Sequence, residues 1–225
     1  MSQQPHIKIC GLRDVATIQA MDGLPIHEIG FIFAPSKRQV DKVTAAQLID
    51  AVGALRAASG ARPRTVGVFV NETLEGLKAI LDVAPLDVVQ LHGDETAAFC
   101  QEVREKLDVQ VWKVFSMKQD AEGNKPLNAM ERLTPYKAAV DAILIDAPGG
   151  GTGKTFDWDM IEEYNKAADE LGLTLYVAGG LHEGNVQELL RTYAPNGIDV
   201  SSGVETDGQK DIDKIRLFVR RVMEA

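Results

Sequence analysis

The sequence predicts an α/β protein, a single (β/α)8 barrel spanning residues 1–225. Three observations predict it. First, one unit recurs along the chain: a short apolar run rich in β-forming residues ends in polar residues or glycine, and an amphipathic stretch comes next. Strands alternating with helices imply a parallel sheet. Second, the unit occurs eight times, with strand starts mostly about 20–35 residues apart, the length of a strand plus its crossover helix. Eight such units can close into a ring. Third, the glycine-rich turns come late. An open doubly wound sheet carries its glycine fingerprint after the first strand, but here that strand ends Ile9-Cys10-Gly11-Leu12.

The expected strands, in order, are His6–Cys10, Glu28–Phe33, Thr65–Val70, Val88–His92, Gln110–Phe115, Ala142–Asp146, Thr174–Ala178 and Gly197–Val200. Each is a run of Val, Ile, Leu or Phe bounded by polar or glycine residues. Helical patterns fill the gaps, for example at Ala45–Ala57, Leu74–Val83, Thr96–Leu107, Asp159–Leu171 and Asp211–Met223. The polar segment Ser116–Pro126 reads as a long loop after the fifth strand rather than a domain linker. The tail beyond Val204 is too short for a second domain.

Composition narrows the function. Hydrophobic residues make up 45% of the chain and charged residues 25%, an ordinary globular balance. The formal net charge of -9 argues against a nucleic-acid partner, although local cations can still attract a small anion into a cleft. The two cysteines, Cys10 and Cys100, form no CxxC, and the histidines form no metal-ligand spacing, so neither a disulfide framework nor a metal site is expected. The opening MSQQPHIKIC has no signal-peptide character and no apolar run approaches a membrane span. A cytoplasmic protein without a membrane partner is the expectation.

In a (β/α)8 barrel the chemistry sits where strands end. Cys10 closes the first strand, and the two-residue period puts Lys8 on the same face, where it is also expected to contact a ligand. An ammonium there would favour the thiolate, a nucleophile or general base; the alternative is a small buried hydrophobe. Cys100, inside a helical run, reads as core. Asp146 closes the apolar run Ile143-Leu144-Ile145, where partial desolvation would let it donate a proton near neutral pH. It could equally be an aspartate that bonds the amides of the next turn. Arg38, in Ser36-Lys37-Arg38, suits a carboxylate that it can grip with two parallel bonds, unless it is solvated surface charge. Gln90 and His92 share a face at the fourth strand's end and could bond a ligand. Asp199, in the eighth, could orient a ligand hydroxyl or amine. Gly179 and Gly180 come after the seventh strand; Ser201, Ser202 and Gly203 come after the eighth. Their bare amides suit a phosphate. The segment Gly149–Thr155 fails the P-loop spacing, because Pro148 stands where the first glycine belongs. It reads instead as a glycine-rich lid.

Taken together, these segments resemble the phosphoribosylanthranilate isomerases, (β/α)8 (TIM) barrel enzymes of tryptophan biosynthesis. The resemblance rests on Lys8-Ile9-Cys10-Gly11, Ser36-Lys37-Arg38, Val68-Phe69-Val70-Asn71, Gln90-Leu91-His92-Gly93-Asp94, Leu144-Ile145-Asp146, Gly150–Trp158, Ala178–Leu181 and Asp199–Glu205, in series over nearly the whole chain. It implies that Cys10 is the general base, Asp146 the general acid, and Arg38 the holder of the anthranilate carboxylate. Phosphate contacts fall to Gly180, Ser202, Gly203 and neighbouring amides. The implied reaction is an Amadori rearrangement of an aminoaldose to an aminoketose, which needs no cofactor. Gln39 departs from the family, standing where an aromatic residue is common. The implied partner is a phosphorylated small molecule, and the chain is expected as a monomer or homodimer. Two rival readings share the barrel. One is the related phosphosugar isomerase of histidine biosynthesis, which uses aspartate at both strand ends and is therefore disfavoured by Cys10. The other is a non-catalytic barrel that binds a phosphorylated metabolite. A cysteine hydrolase pairing Cys10 with His92 is weaker still.

Overall fold

Residues 4–56, 60–117, 128–146 and 158–225 are described by a computed structural model. In it eight parallel strands form a closed ring in chain order, with the last hydrogen-bonded to the first. They are β1 (His6–Cys10), β2 (Glu28–Ile32), β3 (Arg64–Phe69), β4 (Val88–Leu91), β5 (Gln110–Ser116), β6 (Ala142–Asp146), β7 (Thr174–Val177) and β8 (Gly197–Val200). The expected α/β barrel is therefore the observed one, and each expected strand lies within two residues of its observed bounds. The glycine-rich segment at Gly149–Thr155 and most of the Ser116–Pro126 loop lie outside the described residues.

The helices are α1 (Val15–Ala20), α2 (Lys42–Gly53), α3 (Leu74–Leu81), α4 (Ala97–Leu107), α5 (Ala129–Leu133), α6 (Asp159–Leu171), α7 (Val186–Tyr193) and α8 (Ile212–Met223). Side-chain caps set several of their starts. Asp41 accepts from the Thr44 amide at 2.7 Å, so α2 begins three residues before the apolar pattern announces it. Thr73 and Thr96 cap α3 and α4 in the same way. The helices α1, α5 and α7, of 6, 5 and 8 residues, fill gaps where the repeat called for an amphipathic stretch but no bounds were assigned. A two-stranded hairpin, β9 (Glu205–Thr206) and β10 (Gln209–Lys210), lies between β8 and α8 and was unforeseen.

Side chains alternate between two cores. Those pointing outward from the strands pack against the helices in one continuous apolar layer that includes Ile7, Ile9, Ile29, Phe31, Phe69 and Val89. Those pointing inward fill the barrel, where Val66, Val88, Trp112, Val114, Leu144 and Tyr176 form a separate cluster. The N-terminal floor of the ring is polar. Glu28, fully buried, accepts from Tyr176 Oη at 3.0 Å and pairs with Arg64 and with His6 Nδ1, the latter at 3.0 Å. Arg64 in turn lies over the Trp112 ring, 5.5 Å from its centroid. Burial alone pushes the Glu28 carboxyl up, but the bonds from His6 and Arg64 outweigh it and hold it below its ordinary value.

This floor generates a stability prediction. Tyr176→Phe removes one donor from a buried carboxylate and should lower the unfolding free energy by about 1–3 kcal/mol in a urea titration at pH 7. Turnover should stay within a few-fold of the parent, because the bond lies at the end of the barrel opposite the strand C-termini. A variant as stable as the parent would mean that Glu28 is satisfied without it.

Candidate active site

At the C-terminal end of the ring a cavity of about 430 Å³ opens between the strand ends. Cys10, Arg38, Gln90, His92, Asp146 and Asp199 all line it, and so do Gly179, Gly180, Ser201 and Ser202. Ten of the twelve residues expected at the site thus surround one space. Lys8 and Gly203 are the two that do not line it. Among the described residues, no cluster of three or more His, Cys, Asp or Glu could hold a metal ion.

Cys10 and Asp146 end β1 and β6, which stand three strands apart around the ring by way of β8 and β7. The Cys10 side chain faces inward because Gly30, its cross-strand partner on β2, leaves space for it: a Cβ on Gly30 would lie 2.8 Å from Cys10 Sγ. Lys8 was expected to contact substrate. It is instead fully buried one inward step beneath Cys10, and its ammonium donates to Asp199 Oδ2 at 2.9 Å. Burial pushes this ammonium down, but Asp199 and Cys10 outweigh burial and leave it above its ordinary value. Lys8 is therefore a fixed positive charge under the cavity rather than part of its wall.

The thiol behaves differently from the expectation. Burial is the largest influence and pushes the Cys10 thiol above its ordinary value. Lys8 and Lys210 pull it down and Asp199 pushes it further up, and the sum stays raised. Without a ligand, Cys10 rests as the thiol at neutral pH. Proximity to Lys8 was read correctly, but the desolvation of a side chain only 6% exposed is not visible in a sequence.

Across the cavity, His92 Nε2 lies 3.6 Å from Asp146 Oδ2. Burial first, then the positive charges of Lys113 and Lys8, pushes the imidazole down to about 4. At neutral pH it is uncharged and brings no cation to the Asp146 carboxyl. The loop that carries His92 is tied down by a buried pair the sequence did not reveal. Lys113 Nζ donates to the carbonyls of Leu91 at 3.3 Å and Gly93 at 2.7 Å, on either side of His92, and to Glu95 Oε2 at 3.0 Å. Glu95 also accepts from the amides of Asn71 and Gly93, both at 2.8 Å. Two wall acceptors, Gln90 Oε1 and Asp199 Oδ1, are buried and have no partner among the described residues. A ligand donor would satisfy them.

Arg38 reaches the cavity, but not as a free cation. Its Nε and Nη2 donate to the two carboxylate oxygens of Glu205 at 2.7 and 2.8 Å. Glu205 was quoted in the sequence motif but not expected at the site. After β7, Gly179 and Gly180 both adopt positive φ, 91° and 66°, a conformation that favours glycine. Asn185 Nδ2 holds the Gly180 carbonyl at 2.9 Å and so fixes the turn. Ser202–Val204 forms a short 3₁₀ turn, and Gly203 abuts the Leu181 carbonyl so closely that no larger residue fits. Gly203 was expected as a phosphate contact; its position brings the two turns together, while Ser201 and Ser202 face the cavity.

These features define a class: a (β/α)8-barrel enzyme site with a thiol and a carboxyl facing one cavity and two turns of glycine and serine at the ends of β7 and β8. The family model described as N-(5'phosphoribosyl)anthranilate (PRA) isomerase matches residues 7–221. Proteins named N-(5'-phosphoribosyl)anthranilate isomerase are similar over nearly their full length. That of Brevibacillus brevis is 44% identical over 221 residues, covering 96% of this chain and 93% of that protein. That of Listeria welshimeri is 41% identical over 218 residues, covering 95% and 96%. Among solved structures, phosphoribosyl anthranilate isomerase from Thermotoga maritima superposes with a TM-score of 0.78 at 31% identity, covering 98% of this chain and 100% of that one. A structure of the enzyme in complex with reduced 1-(o-carboxyphenylamino)-1-deoxyribulose 5-phosphate gives 0.76 at 29% identity, covering 98% and 100%. The chain belongs to the N-(5'-phosphoribosyl)anthranilate isomerase family, isomerases of tryptophan biosynthesis. Among the described residues, no helix is long and apolar enough to cross a membrane.

The raised Cys10 thiol makes a measurable prediction. In a Cys100→Ser background, which leaves one thiol, iodoacetamide alkylation should still be rising at pH 9, with no plateau near neutrality. A plateau reached below pH 8 would mean that Lys8 and Lys210 overcome burial. Gly30→Ala should displace Sγ from the cavity wall and reduce turnover far more than it reduces stability, as compared by steady-state kinetics and thermal melting.

Proposed function

We propose that Cys10 and Asp146 divide the two proton transfers of the Amadori rearrangement that converts N-(5-phosphoribosyl)anthranilate to 1-(2-carboxyphenylamino)-1-deoxyribulose 5-phosphate. The observation that carries this reading is one cavity with a thiol and a carboxyl on different sides of it, a guanidinium at its rim and two glycine–serine turns beside it. Phosphate at the Gly179–Gly180 and Ser201–Gly203 turns anchors one end of the substrate, and Arg38 holds the anthranilate carboxylate at the other. The pentose then spans the space between acid and base.

Asp146 donates its proton to the furanose ring oxygen, the C1–O bond breaks, and the nitrogen lone pair forms an imine with C1. Cys10, as thiolate, removes the proton from C2, and the electrons of that bond move into the imine to give an enolamine. Tautomerisation, with proton gain at C1 and proton loss from the C2 hydroxyl, completes the aminoketose. The imine is the electron sink. His92, uncharged beside Asp146, adds no positive charge that would favour the carboxylate, and Gln90 and Asp199 offer their unfilled acceptors to sugar hydroxyls or the amine.

The resting thiol is compatible with this chemistry. Thiolate plus protonated Asp146 contains the same number of protons as thiol plus Asp146 carboxylate. The ratio of the two forms is therefore independent of pH between the pair's two apparent titrations. The reactive form is a fixed fraction of the enzyme there, and kcat/KM should trace a bell-shaped curve.

Cys10→Ala and Asp146→Asn should each lower kcat by about 10²–10⁴-fold while binding of a reduced product analogue stays within a few-fold. The assay mixes enzyme with freshly made phosphoribosylanthranilate and tracks loss of its fluorescence. Turnover by Cys10→Ala within a few-fold of the parent would place the base elsewhere.

A further inference from the structure

We propose that Glu205, backed by Lys210, is a positioning residue that aims the Arg38 guanidinium at the aromatic carboxylate of the substrate; the inference rests on Arg38 holding that carboxylate. The geometry begins with the β9–β10 hairpin. Its antiparallel register places Lys210 directly opposite Glu205. Lys210 Nζ donates to Glu205 Oε1 at 2.7 Å and to the carbonyl and hydroxyl oxygens of Ser201 at 2.9 and 3.2 Å. Lys214 Nζ adds a bond to the Glu205 carbonyl at 2.7 Å. Glu205 is thereby fixed to the end of β8 before it meets Arg38. Its side chain is 8% exposed and that of Lys210 3%.

Glu205 takes the Nε–Nη2 edge of Arg38 with two parallel bonds, and no described residue accepts from Nη1. The edge left for a second carboxylate is Nη1–Nη2, on a side chain that lines the cavity. The Arg38 stem reaches this place by crossing Gly11. A Cβ there would lie 2.7 Å from Arg38 Cδ, and Gly11 holds φ at +84°, so the chain both turns and stays bare at that point. Bonding and stem together remove the rotamer freedom that a long side chain would otherwise lose when substrate binds.

Charge points the same way. One carboxylate, Glu205, stands between two cations, Arg38 and Lys210. Burial pushes Glu205 up, but bonds from Arg38 and Lys210 overcome it and bring the carboxyl down to about 2, so it stays ionised throughout the working range. The cluster keeps a surplus positive charge at the cavity rim, inside a chain whose formal net charge is -9. A ligand carboxylate on the open guanidinium edge answers that charge.

A substrate lacking the carboxylate tests this. The ratio of kcat/KM for N-(5-phosphoribosyl)anthranilate to that for N-(5-phosphoribosyl)aniline is measured on parent, Arg38→Met, Glu205→Gln and the double variant Glu205→Gln/Lys210→Met. The double variant avoids leaving the Lys210 ammonium buried alone, and a ratio cancels any loss of folded protein. Glu205→Gln should reduce the ratio by about tenfold or more through a higher KM for the anthranilate, leaving kcat/KM for the aniline within a few-fold. The double variant should behave alike. An equal fall for both substrates, with Arg38→Met still reducing the ratio, overturns the role of Glu205 while sparing that of Arg38. A ratio unmoved by Arg38→Met removes the carboxylate contact itself, and this inference with it.

Discussion

A lysine ammonium buried without solvent contact lies at the heart of this barrel, and the rest of the site is arranged around it. Closing the strands puts Lys8 on the inward face of β1, opposite Asp199 on β8. An isolated charge there would be very costly, and the 2.9 Å bond to Asp199 makes it tolerable. The pair then fixes what surrounds it. It holds a positive charge beneath Cys10, it contributes to keeping His92 uncharged, and it occupies one oxygen of Asp199 while leaving the other open toward the cavity wall. The removal of one partner would leave the other stranded in an apolar interior.

Above that pair a thiol and a carboxyl share one cavity. Under the proposed mechanism they act as base and acid in the same space. Burial works against the thiolate, and the lysines only partly compensate. The imidazole beside Asp146 is held neutral and adds no positive charge there. Lys113 serves in this balance twice: its charge bears on His92, and its bonds hold the backbone on both sides of that residue.

Much of this was legible in the sequence, for definable reasons. Strands reveal themselves through a two-residue period, and the barrel rule points to their ends, so Cys10, Asp146, Gln90, Asp199 and four of the five turn residues were expected where the structure gathers them around one cavity. The repeat called for a helix after each strand, but the sequence set no bounds for α1, α5 and α7. The Lys113–Glu95 and Arg38–Glu205 pairs were hidden because their partners are 18 and 167 residues apart and nothing local marks them. Glu205 and Lys210 lie closer together, but only the β9–β10 hairpin brings them face to face. Lys8 was placed on the correct face, and its depth was what the pattern could not supply. Depth also decided Cys10, where the charge of a neighbour could be read and the loss of water could not.

The polar floor made by Glu28, Arg64, His6 and Tyr176 lies at the far end of the cylinder from the cavity. Its bonds join β1, β2, β3 and β7, so it acts as a girdle on the ring without touching the reacting molecule. Selection for heat tolerance and selection for speed or substrate choice can therefore draw on separate residues. A lineage moving to a hotter habitat could tighten that girdle while the thiol, the carboxyl and the guanidinium stay as they are.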